Sequence, residues 1–270
     1  MMSSFSLAAL TVLDLAPPAL IEIAASCGYD AVGIRLLPAM PGGIAYPLDD
    51  KASLKETLAR LDATGIKVAD LEVVALRPET EIAGFSAFFE TGARLGARHI
   101  LVAGYDPDLV RFRDSFARFC EAAAPYGLTA DLEFMPWTSV PDLATANSIV
   151  APTGQANAGI LVDALHFDRS RSSTAELARV PVQRLHYWQL CDGPAERPAT
   201  NEELIHAARH ERMFPGEGGI DLVSLARAMP ADITISLEVP TAELAKTMGA
   251  KDRAQRALDT AKAVIAAARL

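Results

Sequence analysis

The sequence predicts an α/β fold, a (β/α)8 barrel of eight parallel strands inside a ring of helices, built as a single domain over residues 1–270. Three observations lead there. Eight short apolar runs alternate with helical segments along the whole chain. The runs are rich in branched residues and have no polar face, as in parallel strands covered on both sides. No Gly-x-Gly-x-x-Gly follows the first run and no linker-like stretch divides the chain, which disfavours a doubly wound sheet and a second domain.

Phe5–Thr11 reads as the first strand. Pro17-Pro18 opens a helix that runs to Cys27-Gly28, with proline in the first turn and glycine at the exit. Ala31–Leu37 is the second strand. A Pro/Gly-rich loop leads to a helix over Asp49–Thr64 and to the third strand, Lys67–Leu76. Phe85–Leu95 precedes the fourth strand, His99–Tyr105, and Leu109–Tyr126 precedes the fifth, Leu128–Met135. Val140–Val150 is the next helix, and Ala158–Asp163 is the sixth strand. A short helix over Thr174–Val180 leads to the seventh strand, Leu185–Leu190, and then to a long polar loop. Ile220–Met229 is helical, Ile233–Val239 is the eighth strand, and Asp252–Leu270 is a closing Ala-rich helix.

Composition narrows the function classes. Lys and Arg total 25 against 34 Asp and Glu, a net charge of −9, so the basic surface that supplies most nucleic-acid affinity is missing. No polybasic patch suits a membrane surface, and no apolar run is long enough to span one. Cys27, Cys120 and Cys191 are odd in number and widely spaced, without zinc-binding motifs, which suits reduced thiols. The N-terminus has no basic segment before its apolar stretch. A cytoplasmic protein is the expectation.

Four strand-like runs of the second half end in an oxygen-bearing side chain: L-T-A-D-L-E in Glu133, G-I-L-V-D in Asp163, R-L-H-Y-W-Q in Gln189 and I-T-I-S-L-E in Glu238. A carboxylate at the end of an apolar strand is costly unless its charge is used. In a parallel barrel these ends converge on one mouth, where active sites sit. Three carboxylates brought together repel one another and raise the pKa of at least one of them unless a cation compensates. Three carboxylates and an amide oxygen form a hard ligand set, suited to one divalent ion, Mn2+, Mg2+ or Co2+ in preference to Zn2+. His166 follows Asp163 and is expected in the loop over the mouth, as an acid/base or a donor to substrate. Arg212 and Arg35 are candidates to bind a phosphate, carboxylate or hydroxyl. Glu72 and Trp137 are expected to line the mouth. Asp131, one inward layer below Glu133, stands where a small residue is expected; a protonated or a paired carboxyl would fit there.

These residues resemble the sugar phosphate isomerase/epimerase family, with its xylose isomerase-like TIM barrel. That family places Glu at the end of strand five, Asp in D-x-x-H at strand six, His at strand seven and Glu at strand eight. Glu133, Asp163 with His166, and Glu238 match in order. R-M-F-P-G-E-G-G-I-D, from Arg212 to Asp221, resembles the family's R-x-x-P-G-x-G-x-(I/L)-D. Gln189, in Q-L-C-D, departs from the metal-binding histidine of H-x-K-D and is similar to the 3-dehydroshikimate dehydratase branch.

The resemblance implies a metal-dependent isomerase or epimerase acting on a sugar, sugar phosphate or related polyhydroxy ketone. Glu133 and Glu238 would flank the substrate carbon and exchange its proton through a metal-bound enediolate. Trp137 would offer a stacking wall to a sugar ring. A dehydratase of the 3-dehydroshikimate type is the alternative, with His166 protonating a leaving hydroxyl. A homo-oligomer is common among such barrels. An apurinic-site endonuclease shares the barrel but relies on many histidines, and this chain has five in all. A non-catalytic sugar- or metal-binding protein would need no flanking carboxylate pair.

Overall fold

Eight strands pair in chain order and the first closes onto the last, every pairing parallel. The strands are β1 (Phe5–Leu7), β2 (Ala31–Arg35), β3 (Lys67–Leu76), β4 (His99–Gly104), β5 (Thr129–Glu133), β6 (Ala158–Asp163), β7 (Tyr187–Leu190) and β8 (Thr234–Leu237). This is a (β/α)8 TIM barrel, seen in a computed structural model that describes residues 3–270. The helices are α1 (Pro17–Cys27), α2 (Lys51–Thr64), α3 (Ser86–Leu95), α4 (Leu109–Ala123), α5 (Leu143–Val150), α6 (Ala164–Arg169), α7 (Thr174–Leu177), α8 (Asn201–His210), α9 (Leu222–Ala228) and α10 (Ala250–Ala268).

The main core lies between strands and helices. Phe112, Phe116 and Phe119 of α4 recur at helical spacing and are fully buried, each contributing about 1.5–3 kcal/mol. Inside the barrel the apolar filling is small, Leu101, Leu161 and Tyr187 with Val73 against them. The remaining inward positions are unusually polar for a barrel of this type, where branched apolar layers are the rule. Ser6, Asp70, Glu72, Asp131, Gln189 and Ser236 are all fully buried.

Several boundaries differ from the sequence reading. β1 stops at Leu7, because Ala9–Val12 turns into a 3-10 helix whose Thr11 hydroxyl donates to the Leu237 carbonyl and accepts from the Val239 amide. The polar loop after β7 contains α8, started by a capping box between Thr200 and Glu203. His166 lies in α6 instead of a loop, and Asp163 caps that helix by accepting from the His166 amide at 3.0 Å.

Candidate active site at the C-terminal mouth of the barrel

Alternation along each strand sends Glu133, Asp163 and Gln189 inward. The parallel register sets Asp163 beside Gln189 and Gln189 beside Ser236. Glu238 follows β8, and the Thr11 hydroxyl clamps the backbone on either side of it. A cavity of about 410 Å3 opens above them, and Arg35, Glu133, Trp137, His166, Arg212 and Glu238 all line it. Asp163, Gln189 and Glu72 lie behind that surface with no exposure at all. The strand-end residues singled out from sequence therefore gather at one place, in two layers.

Arg212 organises the inner layer. It lies in the loop between α8 and α9, at the mouth, and is buried there. Its Nη1 donates to Asp163 Oδ2 at 2.6 Å, its Nη2 lies 2.9 Å from Glu238 Oε2, and its Nε donates to the Ala208 carbonyl at 2.8 Å. With its charge and donors committed to the protein, Arg212 acts first as a brace between strands β6 and β8. Arg35 is also engaged, its Nη2 2.6 Å from Glu72 Oε2, while Glu72 Oε1 accepts from the Ala9 amide at 2.8 Å. Trp137 meets the His166 ring edge to face at 5.1 Å and forms a wall of the cavity.

Asp192, absent from the sequence candidates, holds the R-M-F-P-G-E-G-G-I-D segment in place. Its buried carboxylate accepts from the amides of Gly193, Gly216, Gly218 and Ile220 at 2.8–3.1 Å. A Cβ on Gly218 would come within 2.4 Å of Asp192 Oδ1, so the loop can wrap the carboxylate only with glycine there. The Q-L-C-D run that ends in Asp192 carried the signal.

The electrostatics follow from burial and crowding. Glu133 is pushed well above the usual carboxylate range by burial and by the charges of Glu238 and Asp163. Glu238 rises to about 7, chiefly through burial, with Arg212 opposing the rise. Burial also works to raise Asp163, but Arg212 and His166 outweigh it and hold the group low. His166 falls to about 4 because burial disfavours its charged form, so the imidazole is neutral at neutral pH.

The same residues fit a cation. Glu133, Asp163 and His166 each offer a ligand atom within 4.8 Å of the others. Glu133 Oε1 and the amide oxygen of Gln189 are buried without a hydrogen-bond partner. Arg212 pairs with Asp163 and Glu238 but not with Glu133, whose charge when ionised a divalent ion would neutralise.

Comparisons with known proteins agree with this architecture. An inosose isomerase of Halalkalibacterium halodurans is 23% identical over 213 residues, covering 72% of this chain and 71% of the relative. A 3-dehydroshikimate dehydratase of Pseudomonas aeruginosa is 29% identical over 110 residues, covering 40% of this chain and 17% of the relative. This chain thus spans only a small part of the dehydratase's length. Among solved structures, that of an IOLI protein with a bound zinc atom superposes with a TM-score of 0.80 at 22% identity, over 97% of this chain and 98% of the other. Residues 21–264 match the family described as Xylose isomerase-like TIM barrel, and the chain belongs to that family.

Proposed function

We propose that this protein is a divalent-metal-dependent isomerase or epimerase of a small polyhydroxylated ketone, a sugar, a sugar phosphate or a related cyclic compound. One observation carries the reading. Glu133 and Glu238 reach the same cavity from the ends of β5 and β8, where burial and crowding raise both above the usual carboxylate range, Glu238 to about 7. Carboxyl groups tuned upward in this way serve as general acids and bases.

Glu133, Asp163, Gln189 and Glu238 would hold the metal, and its chemistry would be to polarise a substrate carbonyl. Glu238 removes the proton from the carbon next to that carbonyl. Glu133, facing it across the cavity, returns a proton to the same or to the neighbouring carbon, and the choice separates epimerisation from isomerisation. Asp163 takes no proton, because Arg212 holds it ionised. His166 acts as a neutral hydrogen-bond partner to the substrate, with Trp137 fixing the ring's orientation. Arg212 fixes the positions of Asp163 and Glu238, and Arg35, held from behind by Glu72, borders the substrate on the β2–β3 side. The inosose isomerase relative supports this class of substrate.

A dehydratase of the 3-dehydroshikimate type is the second reading. Gln189 favours it, since the amide cannot titrate where a histidine stands in much of the family, and so does the dehydratase relative. The neutral state of His166 weighs against it, because a protonated imidazole is the better acid for a leaving hydroxyl. Incubating manganese-loaded protein with ketoses, inososes and 3-dehydroshikimate, and following product mass, separates the two. Rearrangement at constant mass supports the isomerase; loss of water assigns the dehydratase.

A further inference from the structure

The opposite end of the barrel carries its own cluster of ligating side chains. His99 opens β4, Thr129 opens β5, and His186 immediately precedes β7, so all three surround the N-terminal mouth. Asp131 points into the same space from one residue pair further along β5. His186 Nδ1 lies 2.7 Å from Asp131 Oδ1, and His99 Nδ1 lies 3.8 Å from Asp131 Oδ2. The two imidazoles are parallel, 5° apart in plane, with centroids 5.8 Å apart. One ligand atom from each of His99, Asp131 and His186 falls within 4.8 Å of the other two.

The space for this cluster is built into the strand next to it. A Cβ on Gly159 of β6 would meet Asp131 Oδ1 at 2.1 Å and His186 Nδ1 at 2.5 Å, so any other residue would displace the pair. The Thr129 hydroxyl donates to Asp131 Oδ2 at 2.5 Å and lies 2.8 Å from His99 Nδ1, fixing both groups from the side. Such outer partners orient ligands in metal sites. Asp131 is wholly buried, whereas the His99 and His186 side chains keep 13% and 17% of their surface, so the cluster is reached from solvent through the histidines.

We propose that His99, Asp131 and His186 form a second divalent transition-metal site at the N-terminal mouth, distinct from the candidate active site, in which the ion ties β4, β5 and β7 together. Two imidazoles and one carboxylate are the donor set of zinc and its neighbours, with a water in the open position, and not that of magnesium or calcium. Zinc–ligand bonds of ~2.0–2.2 Å set tetrahedral donors ~3.3 Å apart, so the three groups close on an ion through shifts of about an ångström. Asp131, unexplained as a barrel-filling residue, acquires a role as the central ligand.

Cobalt(II) is the probe, because few-coordinate nitrogen and oxygen sites give it visible absorption. The full chain carrying Glu133→Gln and Glu238→Gln, stripped of metal, is titrated with cobalt(II) and checked by circular dichroism. The proposal expects visible bands that saturate at one ion per chain. His99→Ala or His186→Ala in the same background should weaken binding by at least about tenfold. A folded Glu133→Gln/Glu238→Gln chain that gives no bands, or bands unmoved by His99→Ala, overturns it. Should that background not fold, metal content is compared between the otherwise wild-type chain and His186→Ala after equilibration with zinc. One ion fewer per chain supports the site, and equal content refutes it.

Discussion

Arg212 and Asp163 form an ion pair of 2.6 Å at a place where their side chains are 2% and 0% exposed. The pair joins the loop after α8 to the end of β6, and through Nη2 it reaches Glu238 as well. Taking one partner away leaves buried carboxylates without a counter-charge. Arg212→Leu is expected to lower stability by about 3–5 kcal/mol. Urea unfolding measures this, and a loss under about 1 kcal/mol would mean that the brace has little weight.

Asp192→Ala removes the acceptor shared by four backbone amides, those of Gly193, Gly216, Gly218 and Ile220. Stranded donors cost about 1–3 kcal/mol each when they stay buried, so a total loss of at least ~3 kcal/mol is expected even after partial hydration. The loop that carries Arg212 should also exchange its amide hydrogens faster. Unchanged exchange over residues 212–221 would contradict the assigned role.

The barrel was legible because its strands are largely apolar runs and its helices mostly have their own start and stop residues. The strand ends at Glu133 and Asp163 were legible for the same reason, an apolar run broken by a charge. α6 was missed because it is only six residues long and its cap, Asp163, is also the last residue of a strand. α8 was missed because it buries little, with Ala208 its one fully buried residue, although Thr200 and Glu203 already spelled a capping box. The buried pairings at the two mouths could not be read at all. Arg212 meets Asp163 across 49 positions and His186 meets Asp131 across 55, and no local pattern connects residues that far apart. Asp131 thereby gains the partner that the sequence left open.

His186 and His99 predict opposite pH dependences. Burial works to lower the pKa of His186, but the hydrogen bond and charge of Asp131 outweigh it and raise the group above its ordinary value. Its stabilisation is therefore complete below about pH 6.5 and disappears as pH rises through the folded-state pKa. His99 is pushed down to about 4 by burial, so its stabilisation is present above about pH 6.5 and is lost as pH falls toward that value. In metal-free buffer, the stability gap between wild type and His186→Gln should be widest in mild acid and should close in alkali. The gap to His99→Gln should run the other way. Unfolding midpoints across that range provide the check, and parallel profiles for the two variants would contradict the assignments.

The role proposed for Glu238, moving a proton on and off a carbon beside a carbonyl, is tested most directly by solvent exchange in heavy water. Manganese-loaded wild-type protein, given an inosose or ketose that it turns over, should place carbon-bound deuterium in a product whose skeleton is intact. Glu238→Gln should lose that incorporation by at least about a hundredfold, the scale of general-base catalysis, while keeping its fold by circular dichroism. Conversion without deuterium, or deuterium entering as fast in folded Glu238→Gln, would contradict the account.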